Sequence, residues 1–593
     1  MKHGTPLPLL RKILFALLLF TAGNAGAQFA DAPKDPISRY YLAPQRIVWQ
    51  SDSLTGWVVN PGALLKTGTS QAYFEKPEVC RFTNKSGQAS VILDFGKEIH
   101  GSLQITTATS NRVTRRMRVR FGESVSETCS DVIGDGTTGT EGGATNHHAM
   151  RDFYITLPGY GTQETGNTGF RFVRLDLADT GGTFAIKEIR AVARIRDLPY
   201  KGSFRCSDPR LNDIWRTAAY TVHLNMQDYL WDGIKRDRMV WIGDMHPEVM
   251  TINTVFGYND LVPRSLDFVR DHTPLPAWMN GISAYSMWWV LLQHDWYLYH
   301  GKLDYLREQK SYLLPLLDLL MTKVDSAGRE ALHDRGMRFL DWPSSENKPG
   351  IHAGLQALMV MTFEKGAVLC TALGESAKAK ACSLLAARMK AYVPSPNGSK
   401  QAAALLALSG LLPAQQANSE VIAAGGARDF STFFGYYLLQ AQAKAGAYET
   451  ALENIRSFWG GMLDLGATTF WEDFNLDWTQ NAARIDEMTP PGKTDVHAAY
   501  GGYCYIGLRK SLCHGWASGP APWLTEHVLG IQVLEPGCKV IRIEPHLAGL
   551  SFAEGSFPTP HGLVQVSHRK GPDGKVRTEV QAPAGVRVIR AKS

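Results

Sequence analysis

FFGYYLLQAQAKAGAYETALENIRSFW, residues 433–459, carries apolar side chains at helical spacing along its length. The stretches 305–324 and 363–393 show the same pattern, with Pro315 expected to interrupt the first of them. Segments of this kind succeed one another over residues 201–530 with short connections, which predicts one large all-α domain. No fixed repeat is visible, which disfavours a stacked-repeat solenoid. A bundle and a closed ring of helical hairpins fit the periodicity equally well.

Outward from this block the pattern changes to β. Between 28 and 200 the strands are short and punctuated by Gly, Asn and Thr; Arg116–Phe121 alternates strictly, placing Met117, Val119 and Phe121 on one face. Arg116, Arg118 and Arg120 are expected on a solvated face. A β-sandwich suits this region, with a long Gly/Thr-rich loop at 131–146. The tail, 531–593, returns to β: Lys539–Ile543 alternates, and Gly571-Pro572-Asp573-Gly574 reads as a turn between Leu563–His568 and Lys575–Val580. The fold class is therefore multidomain α+β, in the order sandwich, helical domain, small β domain.

Residues 1–27 read as an export signal, with basic residues before the apolar run Ile13–Ala22 and a small-x-small site at Ala25-Gly26-Ala27. A periplasmic or secreted protein is expected, without membrane insertion after signal removal. Loss of Lys2, Arg11 and Lys12 takes the formal charge from +6 to +3, which is no nucleic-acid footprint. Eight cysteines make no disulfide framework and no zinc spacing; Cys504 and Cys513 are the nearest pair, and buried free thiols are expected for most. Nothing calls for a cofactor or a metal.

Two clusters carry chemistry. WDGIKRDRMVWIGDMHPE, residues 231–248, concentrates acids, arginines and tryptophans. On a single helix Asp232 and Asp237 would lie ~140° apart and Asp232 and Asp244 ~120° apart, so no helix could aim all three at one point. Gly233, Gly243 and Pro247 predict instead a loop with short helical pieces, and tryptophans beside carboxylates suit sugar rings. A salt-bridged interhelix loop would have the same composition. The second cluster, LDLGATTFWEDFNLDW at 463–478, presents Glu472 after small residues, though a helix start capped by Thr469 would look alike.

The first cluster resembles the D-x-P-x-R-E-x-x-x-W-x-G-D signature of the α-L-rhamnosidases of glycoside hydrolase family 78, through Asp232, Arg236, Asp237, Trp241, Gly243 and Asp244. The second is similar to that family's T-T-x-W-E segment, through Thr468, Thr469, Trp471 and Glu472. LDFGKEIHG and RFGESVSE look like its accessory sandwich. The resemblance implies a β-sandwich, an (α/α)6 barrel and a C-terminal β-sandwich. It further implies inverting hydrolysis of terminal α-L-rhamnosides on oligo- or polysaccharide fragments, with Asp237 as general acid and Glu472 as the base that activates water. Inversion requires the two carboxyls about 6.5–9.5 Å apart.

Asp232, Arg236, Trp241 and Asp244 match family positions that hold the sugar. Trp278 and Trp288 lie in a region the family uses for sugar contacts, although Trp288 and Trp289 cannot both face a pocket from one helix. Asp341-Trp342 resembles a G-D-W segment, and His514 in CHGWASGP a late pocket histidine. Asp237 stands where the family usually has Glu, and Gly233-Ile234 where it has Cys-Pro, which marks a divergent branch. Glu248 is a nearby substitute for the acid. Two rivals remain at this stage: a polysaccharide lyase using Tyr500, Tyr503 or His497, and a non-catalytic carbohydrate-binding relative.

Overall fold

The computed structural model describes residues 1, 36–51, 56–72, 78–108, 113–132, 143–332, 336–502 and 506–590. Residues 1–38 and 39–593 are separate compact units, and the architecture that follows is that of the second. The export signal, apart from Met1, lies outside the described residues, as do Cys504, Tyr503 and most of the 131–146 loop.

Helices between 209 and 528 alternate in character. Ile242–Val255 is buried at every position, and Ser283–His300, Lys400–Ser409, Gly435–Lys444 and Pro520–Trp523 are buried nearly throughout. Lys348–Ala372 is long and apolar enough to cross a membrane by length and composition, but 78% of its most apolar window is buried. Between these lie Pro209–Asn225, Leu261–Asp271, Leu303–Met321, Ser376–Met389, Ala414–Ala417 and Tyr448–Asp464, each with a more exposed face. A helix apolar on all sides must be covered on all sides. The buried set packs in sequence and Pro520–Trp523 returns to touch Ile242–Val255, closing an inner ring inside an outer one. Periodicity left ring and bundle open; the burial pattern distinguishes them.

Several boundaries differ from the sequence reading. Pro315 does not interrupt its helix, which runs unbroken from Leu303 to Met321. The segment 363–393 is two helices parted at Gly374, and 433–459 is two parted at Gly446; both glycines hold positive φ (79° and 78°), where a helix ends at least cost.

Among the described residues, the N-terminal layer is one hydrogen-bonded sheet of nine strands. Its long strands Ser90–Ala108 and Tyr160–Leu177 pair antiparallel with register shifts at Asp94/Ile99 and Gly101/Leu103. The two halves of these strands feed a single core, which gathers Val91 and Leu93 with Leu103, Ile105, Met117, Val119 and Phe121. Bulges thus carry one sheet around a sandwich-like core. The arginine row is not simply solvated: Arg116 is exposed, Arg118 is half-buried on Asp152, and Arg120 is buried with its guanidinium 2.7 Å from Asp176.

At the C-terminus, Phe552–Thr559, Gly562–Lys570 and Val576–Gln581 form an antiparallel sheet whose outer strand is Ser203–Cys206. A second sheet joins Ile531–Val533, Val540–Ile543 and Arg587–Arg590. The first strand after residue 201 therefore belongs to the C-terminal sheet, not to the barrel. All seven described cysteines are free, six of them buried.

Candidate active site

The cluster at 231–248 divides at Trp241, the N-cap of helix Ile242–Val255. Asp232–Asp237 lie in the preceding loop and Asp244 in the first helical turn, so Gly243 and Pro247 are helical, contrary to the loop expected for them. The division achieves what a single helix could not. Asp232, Arg236, Asp237, Trp241 and Asp244 line one cavity of about 270 Å³ together with Trp342, Glu472 and His514.

Short polar contacts hold this loop. The Met239 N–H donates to Asp232 Oδ1 (3.0 Å), and the Asp232 carbonyl accepts from Gly515 N–H (2.8 Å) and Asn225 Nδ2 (3.1 Å). Gly243 has no side chain because Tyr285 occupies that space: a Cβ there would lie 2.3 Å from Tyr285 Cε1. The Tyr285 hydroxyl donates to Asp244 Oδ1 at 3.1 Å.

Glu472 arrives from an extended loop, not from a helix capped by Thr469, whose hydroxyl donates to the Leu512 carbonyl (2.7 Å). The Glu472 carbonyl accepts from Thr432 Oγ1 (2.6 Å) and Trp516 Nε1 (3.0 Å). Its carboxylate takes Ser511 N–H on Oε2 (2.8 Å) and the guanidinium of Arg236 on both oxygens. Arg236 also places Nη1 3.9 Å from Asp237 Oδ1.

The carboxyls are held in different protonation states. Burial would push Glu472 up, but Arg236 and His514 outweigh it and hold the group below the ordinary carboxylate range, ionised. Burial pushes Asp232 up to about 6 against the pull of His514, and Asp244 up to about 8 with Asp232 adding to the effect. The imidazole of His514 is penalised by burial, yet Asp232, Glu472 and Asp244 at 3.6, 3.8 and 3.8 Å raise it. The buried Nε1 of Trp241 and Nδ1 of His514 have no hydrogen-bond partner among the described residues.

Three further residues from the sequence reading lie elsewhere. Trp278 and Trp288 are buried core and do not line the cavity; Trp288 stacks on Tyr437 with ring centroids 4.8 Å apart. Glu248 is wholly buried beneath Gly515 and accepts from Asn225 Nδ2 at 3.4 Å, away from the cavity lining. Residues missed in the sequence include Tyr285, Asn280, Phe339 and Trp516, all in the lining. Trp516, two positions after His514, was the most readable of them.

The sandwich supports this wall. Glu123 accepts from Leu512 N–H (2.6 Å) and Ser511 Oγ (3.3 Å), bracing the backbone that holds Glu472. Glu123, Glu127 and His497 are close enough to share a cation. The buried ammonium of Lys235, 2.9 Å from Glu127 and 3.5 Å from Glu123, already supplies positive charge there.

Residues 199–528 match the bacterial alpha-L-rhamnosidase 6 hairpin glycosidase domain, and 530–589 the bacterial alpha-L-rhamnosidase C-terminal domain. An alpha-L-rhamnosidase of Alteromonas sp. (strain LOR) is 26% identical over an alignment of 537 residues that covers 82% of this chain and 54% of that protein. The chain thus spans about half the length of that relative. Among solved structures, a family 78 rhamnosidase of Bacillus sp. GL1 has a TM-score of 0.70 at 22% identity, covering 90% of this chain and 55% of that one. A rhamnosidase from Klebsiella oxytoca with rhamnose bound has a TM-score of 0.65 at 21% identity, covering 84% and 97%.

Proposed function

The chain belongs to the bacterial α-L-rhamnosidases of the six-hairpin glycosidase type, and from that membership we propose that it hydrolyses terminal α-L-rhamnosides of oligo- or polysaccharides with inversion. The observation that carries this reading is the convergence of acids from 232–244 and of Glu472, far along the chain, on one aromatic-walled cavity. Asp237 is the proposed general acid and Glu472 the proposed base.

In the step proposed, Glu472 takes a proton from water while the water oxygen attacks the anomeric carbon. The bond from that carbon to the glycosidic oxygen breaks on the opposite face, and the departing oxygen takes the proton of Asp237. An ionised Glu472 suits a base. Asp232 and Asp244 are placed to hold sugar hydroxyls, and Trp241 and Trp342 to cover the apolar face of the ring.

One observation favours a second assignment of the acid. Asp244 is the lining carboxyl that burial keeps protonated near neutrality, at about 8, which is the state an acid needs. Asp237→Asn and Asp244→Asn, assayed on rhamnosides with sugar and with nitrophenyl leaving groups, separate the two. Loss of the acid spares the activated substrate, whereas loss of a hydroxyl-binding group weakens both.

The β-elimination alternative draws on Tyr500 and His497. His497 shares a hydrogen bond with Ser124 (2.7 Å), Tyr500 stacks on Trp478 (5.3 Å), and neither lines the cavity. The non-catalytic alternative predicts sugar binding without turnover. Release of rhamnose by wild type and not by Glu472→Gln tests the proposal; unchanged release in the variant would overturn it. Export to a periplasm or beyond the cell is also proposed, on the apolar run Ile13–Ala22 and its cleavage site, and cell fractionation checks it.

A further inference from the structure

The sandwich reaches the cavity wall at a second place, from the chain just before its strand Asp152–Leu157. His148 Nε2 lies 3.2 Å from Asp237 Oδ1, a close polar contact without the alignment of a hydrogen bond. The adjoining Arg238 turns away from the cavity and donates from its guanidinium to two sandwich carbonyls, Asn167 (2.9 Å) and His148 (2.8 Å). Asp237 and Arg238 both adopt left-handed backbone, with φ of 53° and 52°. That conformation is disfavoured for a non-glycine residue and persists where the surroundings over-determine it. Here the carbonyls that receive Arg238 and the imidazole that meets Asp237 come from the sandwich.

The surroundings of His148 define its chemistry. Burial, the neighbouring His147 ring at 4.3 Å, and the guanidinium groups of Arg236 and Arg509 all oppose its charging, and only Asp237 favours it; the balance holds it down at about 4. A neutral imidazole therefore faces the carboxyl at neutral pH. Its Nε2 and the Arg236 guanidinium both address Oδ1.

We propose that His148, a residue of the sandwich and not of the barrel, is a positioning residue for Asp237, engaging its Oδ1 so that Oδ2 presents the proton to the departing glycosidic oxygen. This inference rests on the reading of Asp237 as general acid. It accounts for how a side chain one methylene shorter than Glu is aimed: the backbone is bent left-handed, and a second domain holds the carboxyl. The active site is then composite, and the sandwich is part of the catalytic unit.

The test compares the full chain with His148→Ala and His148→Gln on two α-L-rhamnosides. One carries a nitrophenyl group, which leaves without protonation; the other carries a sugar alcohol, which does not. His148→Ala is expected to lose about 10-fold or more in kcat/KM on the sugar-linked substrate, a share of the ~10²–10⁴ that a general acid contributes. The loss on the nitrophenyl substrate is expected to be several times smaller. His148→Gln, whose amide offers the carboxyl a polar group in the same place, recovers much of the difference, and it carries the test if the alanine variant fails to fold. Equal losses on both substrates, or no loss on either, would overturn the role of His148 while leaving the proposed reaction intact. A wild type inert on both substrates would overturn the reading of the reaction on which this rests.

Discussion

The guanidinium of Arg236 meets both oxygens of the Glu472 carboxylate, 236 positions further along the chain, and with Nη1 it also approaches Asp237. One buried cation thus stands between the two carboxyls assigned opposite roles. It keeps Glu472 ionised where burial alone would favour the neutral acid.

Replacing Arg236 by Met is therefore expected to raise the pKa of Glu472. The base would be protonated over a wider acidic range, so the acid limb of kcat/KM should move to higher pH. The activity ratio of variant to wild type should be lower at pH 5 than at pH 7. Measuring both pH profiles checks this; an unshifted acid limb would disconnect Arg236 from the ionisation of Glu472.

Asp244 links the site to stability. Its folded pKa, raised to about 8, lies above the ordinary value of 3.8, so between the two the folded state binds more protons than the unfolded one and stability falls as pH rises. Asp244→Asn removes that contribution. The Tm of the variant relative to wild type should increase between pH 5 and pH 9, the gain levelling off above about 8. A difference that stays constant over that range would contradict the assignment.

Gly243 is a packing requirement of the cavity wall. An added Cβ would lie 2.3 Å from the Tyr285 ring, whose hydroxyl supports Asp244. Gly243→Ala is expected to cost ~1–3 kcal/mol, the usual range for overpacking. It should also displace Tyr285, raising KM as well as lowering Tm. Thermal unfolding and steady-state kinetics measure both effects.

Glu123 braces the Glu472 wall from the sandwich, through Leu512 N–H and Ser511 Oγ. Glu123→Ala removes an acceptor from buried donors and one partner from Lys235. Misplacement of catalytic groups by 1 Å can cost ~10²-fold, so kcat should fall by roughly that order or somewhat less, with KM changed much less. A variant with wild-type kcat would show that the sandwich does not tune this wall.

The sequence pattern marked layers better than contacts. Alternation over Met117–Phe121 was enough to place a strand face in the core. The burial of Arg120 was not legible, because its partner Asp176 sits on another strand. Helical spacing found the helical domain, while Gly374 and Gly446 divided helices that apolarity alone ran together. At the site, Asp232, Arg236, Asp237, Trp241 and Asp244 were readable as a group because they share one short segment, and Glu472 because a second motif points to it. Tyr285 was hidden in a helix crowded with aromatic and apolar residues, and Trp288, the residue singled out on it, packs on Tyr437 instead. His148 carried no signal at all, since nothing local to it indicates that its loop crosses to the barrel.

The most direct test of the central claim is the anomer of the first sugar released from an aryl α-L-rhamnoside, followed by ¹H NMR before mutarotation. The account predicts β-L-rhamnose as the initial product of wild type, and no release by Glu472→Gln. Initial α-L-rhamnose would mean retention and would remove Glu472 from the role of base. No rhamnose from this substrate or from rhamnose-terminated oligosaccharides would contradict the proposed reaction itself.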